Sequence, residues 1–211
     1  MALSRPTGRP RLLKPAALRP GDRIAIVAPA SPCAPEAFGH GVLELESRGF
    51  EVTVDDRVWA QGGGYLAGEA ALRAAHLQEA FADPAVAGIV CARGGYGSAQ
   101  ILPLLDAAAI AGSPKVFVGY SDITAVHAWL QQRCGLVSFH GPMLEGRFAN
   151  RARYDRDSFV RAVSVTEPMG ALVPPGLEIW HEGEASGVLV GGTSAPIGSV
   201  TNTARTNESR S

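Results

Sequence analysis

The sequence predicts an α/β fold in which a parallel sheet is covered by helices on both faces. Short apolar runs alternate with stretches of helical periodicity from residue 22 onward. The apolar runs are nearly continuous, which is typical of strands that are buried on both faces of a parallel sheet. Glycine-rich or polar segments follow several of these runs, as expected at the ligand-binding edge of such a sheet. The predicted strands are 22–28, 51–54, 87–92, 115–119 and 136–139, and the predicted helices after the first one are 69–82, 98–105, 122–133 and 151–163.

The first strand and helix show how each element is predicted. The apolar run 22–28 stops at Pro29, as a buried strand would. Pro35 suits the first turn of a helix, and Gly49 suits the cap that ends it. The apolar stripe of this helix consists of Phe38, Val42 and Leu45.

Composition and charge exclude several classes of protein. The chain has 211 residues, of which 46% are hydrophobic and 18% charged, so a sizeable core can be buried. A net charge of −1, with no dense basic run beyond residue 23, argues against a nucleic-acid-binding surface. No secretion signal and no apolar stretch of about 18 residues is present, so we expect a cytoplasmic protein that does not enter a membrane. The three cysteines form no CxxC pair, so we expect reduced thiols in the core, no metal site and no cofactor.

Four segments with unusual composition follow predicted strands. Because the carboxyl ends of parallel strands lie at one edge of the sheet, we expect these segments to converge on one crevice. They are 29–32, 93–97, 119–122 and 140–143.

The segment Val118-Gly-Tyr-Ser-Asp122 resembles a nucleophile elbow, the tight strand-to-helix turn that exposes a catalytic serine. Gly119 gives the turn room, and the backbone N–H of Asp122 would face a developing oxyanion at the start of the helix. The pattern G-x-S-x-G is half met, because Ile123 occupies the position of the second glycine. The alternative is that Ser121 is a helix N-cap, since serine is among the best capping residues.

The segment Arg93-Gly-Gly-Tyr-Gly97 can bring backbone N–H groups close to a ligand. We select Gly95 as a second oxyanion donor, and the alternative is a tight strand-to-helix turn without a ligand. The glycine spacing does not match a dinucleotide-binding fingerprint. His140 is predicted to lie in the same crevice and His127 on the apolar side of the helix after Ser121, and a hydrogen-bonded core histidine is the alternative for both.

Taken together, these segments resemble the murein LD-carboxypeptidase family, which includes the microcin self-immunity peptidases. Each segment alone is a weak signal, but four in the family's order are specific, and the resemblance covers roughly residues 12 to 192. The segments that carry it are Leu18-Arg-Pro-Gly-Asp-Arg-Ile-Ala-Ile-Val-Ala-Pro-Ala-Ser-Pro32, Arg93-Gly-Gly-Tyr-Gly97, Val118-Gly-Tyr-Ser-Asp-Ile-Thr124 and His140-Gly-Pro-Met143.

The resemblance implies a flavodoxin-like, class I amidotransferase-like N-terminal domain and a serine peptidase. Its reaction would remove the terminal D-Ala from murein tetrapeptides during cytoplasmic peptidoglycan recycling. Ser121 would be the nucleophile, and the backbone N–H groups of Gly95 and Asp122 would form the oxyanion hole. The residues implied to border the substrate are Arg93, Gly94, Tyr96 and His140. The family also implies a homodimer for the full-length form.

The resemblance divides the chain into four parts. We expect a flexible segment at 1–17, the nucleophile-bearing domain at 18–165, an interdomain connection with the start of a second domain at 166–192, and a disordered tail at 193–211. In the family, the Glu and His of the triad belong to that second domain, and neither has a matching position here. We therefore expect a C-terminally truncated chain with strongly impaired activity.

Two alternatives accompany this interpretation. The first is a non-catalytic, peptide-binding remnant of the family. The second is an amidotransferase-like enzyme that uses Cys91 or Cys134. It fails on placement, because Cys91 falls inside a predicted strand and Cys134 just past the end of a predicted helix.

Overall fold

A five-stranded parallel sheet with the strand order β2-β1-β3-β4-β5 forms the centre of the protein. The computed structural model describes residues 12–145 and 156–168 together with Gly183. All four pairings between neighbouring strands are parallel. The strands are β1 (Arg23–Val27), β2 (Glu51–Val54), β3 (Val86–Cys91), β4 (Val116–Gly119) and β5 (Phe139–His140).

Helices cover the sheet on both faces. They are α1 (Pro35–Glu46), α2 (Ala70–Ala82), α3 (Ser98–Ile101), α4 (Ala107–Ala111), α5 (Thr124–Trp129) and α6 (Arg156–Ser164). Short 3-10 turns lie at Asp56–Trp59, Leu102–Leu104 and Ser121–Ile123, and a π-helical turn at Leu130–Cys134 follows α5.

Two hydrophobic cores lie on opposite faces of the sheet. One contains Leu77 of α2, Ile110 of α4 and Val126 of α5. The other contains Leu45 of α1 and Phe159 of α6. Every residue of the interior strand β4 is buried, which explains why its sequence is continuously apolar. The predicted α/β fold with a helix-flanked parallel sheet is confirmed.

The helix predicted at 98–105 is interrupted in the structure. Helix α3 ends at Ile101, and Pro103 lies in the 3-10 turn that follows. Proline cannot donate the backbone hydrogen bond that a continuing helix needs. Asp106 then starts the unpredicted helix α4, because its carboxylate accepts the backbone N–H groups of Ala108 and Ala109 at 2.9 and 3.1 Å.

Two other predicted elements differ from the structure. The strand predicted at 136–139 is β5 at Phe139–His140, and Leu136 instead forms an isolated parallel bridge with Leu13. The helix predicted at 122–133 begins as a 3-10 turn and ends as a π-helical turn. The helix predicted at 151–163 corresponds to α6, and residues 151–155 of the prediction lie outside the described residues.

Parts of the predicted domain organisation lie outside the described residues. These parts are 1–11 of the predicted flexible segment, 146–155 of the predicted nucleophile-bearing domain, the predicted connection after 168 except Gly183, and the tail 193–211. Within 12–17, Leu13 accepts the backbone N–H of Val137 at 2.9 Å and donates its own to Gly135 at 2.7 Å. Among the described residues, no helix is long and apolar enough to cross a membrane.

Candidate active site

Ser121 follows the carboxyl end of β4 in a strained backbone conformation. Its φ angle is +63°, and it is the one non-glycine residue with positive φ in the part of the chain that the structure describes. A side chain at positive φ clashes with its own backbone, and such strain collects at functional sites. Ser121 therefore lies in a sharp turn of the kind that exposes a nucleophile.

The turn closes only because residue 119 has no side chain. A Cβ at Gly119 would lie 2.7 Å from Cγ2 of Ile123 and 3.3 Å from Sγ of Cys91. Ile123 is fully buried and anchors the chain after the turn in the core. An alanine at 119 would force these two sides of the turn apart.

Ser121 does not act as an N-cap. A capping residue has extended φ and ψ angles, and its side-chain oxygen accepts a backbone N–H. Ser121 has positive φ, and it is the first residue inside the 3-10 turn. The N-cap position of that turn is occupied by Tyr120. The hydroxyl of Ser121 forms no hydrogen bond with any described residue. The N-cap interpretation is therefore wrong.

Asp122 ties the serine turn to the glycine-rich loop. Its carboxylate accepts the backbone N–H of Ser98 at 2.8 Å, and its backbone carbonyl accepts the Ser98 hydroxyl at 2.5 Å. The backbone N–H of Asp122 has no partner among the described residues, and the same holds for Gly95. Both groups are therefore available to an anionic oxygen.

The glycine-rich loop lies directly against the serine. A Cβ at Gly94 would lie 3.1 Å from Cβ of Ser121 and 3.4 Å from Cε of Met143. Gly95 has a φ angle of +100°, and a Cβ there would lie 2.7 Å from Cβ of Ser31. Ser31 holds this loop: it donates its N–H to Gly94 at 3.1 Å, and its hydroxyl accepts the N–H of Tyr96 at 3.2 Å.

The four loops predicted to converge do meet at one edge of the sheet. Ser31 brings the loop after β1 to the glycine-rich loop after β3, and Gly94 brings that loop to Ser121. The loop after β5 joins them, because Gly141 donates its N–H to Gly119 at 3.1 Å.

Arg73 supports the glycine-rich loop through a hydrogen bond to Gly97, and no sequence pattern singles it out. This α2 residue is buried, yet its guanidinium donates to three backbone carbonyls and one side-chain amide. The acceptors are Pro29 at 2.6 Å, Gly68 at 3.1 Å, Gly97 at 2.8 Å and Oε1 of Gln100 at 2.7 Å. No sequence signal marks it, because its partners lie up to 44 residues away and most of them are backbone carbonyls.

Tyr96 and Arg93 are the exposed side chains of the glycine-rich loop. The Tyr96 ring packs edge-on against Tyr65, with a centroid distance of 5.8 Å. Nη1 of Arg93 lies 3.5 Å from Oε1 of Glu145, a carboxylate that no sequence pattern marks. Glu145 also accepts the backbone N–H of Ala34 at 2.9 Å.

His127 is a hydrogen-bonded structural histidine, as the alternative interpretation held. Its Nε2 lies 2.9 Å from the carbonyl oxygen of Gly119, and its Nδ1 lies 2.8 Å from the hydroxyl of Ser138. A carbonyl only accepts, so Nε2 carries the proton and Nδ1 accepts from Ser138. Burial is the main cause that lowers the pKa of His127 to about 4, so the imidazole is neutral at pH 7.

His140 is exposed at the end of β5, where its ring lies 6.2 Å from that of Tyr120 and 6.1 Å from that of His127. Partial desolvation lowers the pKa of His140.

The His127 environment predicts a loss of stability in acid. The folded-state pKa of about 4 lies below the ordinary 6.5, so between these values the unfolded chain binds more protons. The stabilising contribution is present above pH 6.5 and is lost as the pH falls toward 4. Urea unfolding between pH 4.5 and 7.5 should show a shallower pH slope in His127→Gln than in the wild type. His40→Gln, at an exposed position, should keep the wild-type slope; equal slopes in all three proteins would contradict this assignment.

The cysteines lie in the core. Cys33, Cys91 and Cys134 are all buried and form no disulfide. Burial raises the pKa of the Cys91 thiol at the end of β3, which makes it a poor nucleophile. This geometry argues against the amidotransferase-like alternative. Among the described residues, no cluster of His, Cys, Asp or Glu side chains could hold a metal ion.

The chain is similar to proteins of one known family. The family described as the LD-carboxypeptidase N-terminal domain matches residues 24–141. A Streptomyces coelicolor protein named as a carboxypeptidase is 42% identical over 188 residues, covering 87% of this chain and 60% of its own length. The murein tetrapeptide carboxypeptidase of Pseudomonas aeruginosa is 32% identical over 177 residues, covering 81% of this chain and 57% of its own length.

Solved structures show the same relationship. One sequence relative is the microcin C7 self-immunity protein MccF of Escherichia coli. The ligand-free structure of MccF superposes on this chain with a TM-score of 0.71 at 29% identity. The match covers 77% of this chain and 50% of that chain. Another structure of MccF holds aspartyl sulfamoyl adenosine.

The chain spans about 60% or less of the length of these relatives. The family match nevertheless includes more than half of the 211 residues and contains both the strained serine and the glycine-rich loop beside it. On this evidence the chain belongs to the LD-carboxypeptidase family, and it contains the N-terminal domain of that family.

Proposed function

We propose that this chain carries the nucleophile of a serine LD-carboxypeptidase that removes the terminal D-Ala from murein tetrapeptides. The observation that carries the proposal is the positive φ angle of Ser121 at the end of β4. Strain of this kind persists only where the surrounding structure enforces it, and the catalytic elbow of a hydrolase is such a place. The cellular role would be peptidoglycan recycling in the cytoplasm.

In the proposed reaction, the Ser121 hydroxyl attacks the carbonyl carbon between the L-centre of the diamino acid and D-Ala. The negative charge that develops on the carbonyl oxygen would be stabilised by the backbone N–H groups of Gly95 and Asp122, which have no other partner among the described residues. The C–N bond then breaks and D-Ala leaves with a proton on its amine. Water hydrolyses the resulting acyl-enzyme and regenerates the serine.

The general base would come from outside the described residues. His127 is neutral, but both of its ring nitrogens are engaged. Nε2 donates its proton to the carbonyl of Gly119, and Nδ1 accepts a hydrogen bond from the Ser138 hydroxyl, so neither is free to accept the serine proton. The Asp122 carboxylate is engaged by Ser98. A serine hydroxyl without a base is a poor nucleophile, and loss of the base costs on the order of 10⁶ in well-studied triads.

The names of the relatives support the choice of substrate. One relative is named as a murein tetrapeptide carboxypeptidase, and MccF has been solved with an aminoacyl-nucleotide analogue. Both ligand types are small and contain an aminoacyl or peptidyl group. We place the substrate in the crevice bordered by Arg93, Gly94, Tyr96 and His140.

A non-catalytic peptide-binding role is the second candidate. It is favoured by one observation: no imidazole or carboxylate among the described residues is hydrogen-bonded to the Ser121 hydroxyl. A protein of this kind would bind the tetrapeptide in the same crevice and release no D-Ala.

Release of D-Ala from a murein tetrapeptide tests the proposal. We expect the 211-residue chain, at concentrations close to that of the substrate, to release D-Ala faster than its Ser121→Ala variant. Added imidazole, which can act as an external base, should raise the rate of the wild type alone.

The matched control is Ser121→Gly. It also lacks the hydroxyl, but glycine adopts positive φ without strain, so this variant should be as inactive as Ser121→Ala and at least as stable as the wild type. Equal release by all three proteins, with and without imidazole, would remove Ser121 from the reaction. Tetrapeptide binding without any release would favour the peptide-binding role instead.

A further inference from the structure

Arg93 is the most weakly paired arginine in the described ion pairs. Its two contacts, to Oε1 of Glu145 and to the carbonyl of Pro32, are 3.5 and 3.4 Å long and both involve Nη1. The other arginine pairs are closer: Arg23, Arg48 and Arg57 lie 2.6–3.0 Å from their carboxylate partners. The Arg93 side chain is also 44% exposed. These contacts contribute little to folding.

The unpaired edge of the Arg93 guanidinium lies close to Gly95 in the glycine-rich loop. Nε and Nη2 have no hydrogen-bond partner among the described residues. Nε lies 3.9 Å from the position of a Cβ at Gly95, and the neighbouring Gly94 approaches Ser121. The Nε–Nη2 edge is the fork that binds a carboxylate in a bidentate manner.

Glu145 lies beside the opposite edge of the guanidinium, and its own position is fixed by backbone contacts. Its backbone N–H donates to Ala92 at 2.9 Å, and its carboxylate accepts the N–H of Ala34 at 2.9 Å. The preceding residue, Leu144, is fully buried. Burial and the Glu145 carboxylate raise the pKa of the adjacent Cys33 thiol to about 12, so the thiol stays neutral and adds no charge here. Glu145 therefore positions Arg93 through Nη1 and leaves the fork open.

The reaction requires a carboxylate site close to the serine. The substrate of a carboxypeptidase ends in a free carboxylate. Only two atoms, the N and Cα of the last residue, lie between the scissile carbonyl carbon and the carboxylate carbon. Standard bond lengths place the two carbons about 3–3.7 Å apart. A cation that selects this terminus must therefore lie beside the oxyanion donors, as Arg93 does.

We propose that Arg93, positioned by Glu145, forms the subsite that binds the terminal carboxylate of the substrate through its Nε–Nη2 edge. This assignment rests on the proposed function, since it takes the scissile carbonyl to lie at Ser121. Arg93 selects peptides with a free C-terminus, and Glu145 is a positioning residue that acts through Arg93.

Binding measurements with two peptides test this subsite without the need for turnover. The probes are a murein tetrapeptide with a free terminal carboxylate and the same peptide with a C-terminal amide, titrated calorimetrically into Ser121→Ala protein. We expect the carboxylate form to bind about 10- to 100-fold more tightly, as is usual for a charge-assisted bidentate contact. Adding Arg93→Gln should abolish this preference and leave the affinity for the amide unchanged. Arg93→Lys should retain part of the preference, and Glu145→Gln should reduce it several-fold.

Arg133→Gln is the control for general charge effects, because it removes the same charge from an exposed residue in the turn after α5. It should leave the preference unchanged. Thermal unfolding of each variant would show that the fold is intact. Two results would contradict the subsite but not the proposed function: a carboxylate preference that survives Arg93→Gln, or an equal loss of affinity for both peptides in that variant. Failure of the Ser121→Ala protein to bind either peptide would overturn the proposed function, and the subsite with it.

Discussion

Replacement of Arg73 by methionine should destabilise the protein by at least about 3 kcal/mol. The guanidinium satisfies three carbonyls, those of Pro29, Gly68 and Gly97, in a place where the arginine itself is buried. Each buried acceptor left without a donor costs about 1–3 kcal/mol. Urea unfolding followed by circular dichroism would give the change in the free energy of unfolding at constant m-value.

Arg23→Met is the matched control for this substitution. Arg23 pairs with Glu51 at 2.8 Å, but its side chain is 35% exposed, and exposed ion pairs contribute about 0–1 kcal/mol. Arg73→Lys should lose an intermediate amount, because an ammonium group cannot reach all the acceptors at once. Equal losses in Arg73→Met and Arg23→Met would show that the buried contacts do not support the loops.

Leu45→Ala should cost about 2–5 kcal/mol, the range measured for buried leucines that leave a cavity. Leu45 is fully buried on the inner face of α1, within the core that also contains Phe38 and Ile24. Thermal and urea unfolding should both show the loss.

Leu43→Ala makes the same change in the same helix. Leu43 is 56% exposed, so its truncation should change the free energy of unfolding by no more than about 0.5 kcal/mol. The difference between the two variants isolates burial from helix propensity. A large loss in Leu43→Ala would instead mean that the outer face of α1 is covered by another surface in solution.

The regular parts of the fold could be predicted because their physical signals are local. The strand predicted at 87–92 is β3 at Val86–Cys91, and the helix predicted at 69–82 is α2 at Ala70–Ala82. Both rest on runs or stripes of apolar residues that a short stretch of sequence contains. Helix α4 was missed because its residues are mostly alanine, whose small side chain gives no amphipathic stripe.

The site could be predicted only in part. The segments that form the crevice follow strands, and their convergence comes from the parallel topology, which the sequence indicates. The conformation of Ser121 could not be predicted, since a serine after a strand fits both a cap and an elbow. Arg73 and Glu145 were missed for a different reason: each contacts backbone groups of distant loops, and backbone groups leave no mark in a sequence.

The double contact between Ser98 and Asp122 has a consequence for engineering. Because the carboxylate and the carbonyl of Asp122 both bind Ser98, the two turns that carry the candidate oxyanion donors are fastened to each other at a second point. Neither turn could be transplanted into another scaffold by itself and keep the orientation of its backbone N–H donor. A successful graft, or a natural substitution at either position, would have to change both turns together.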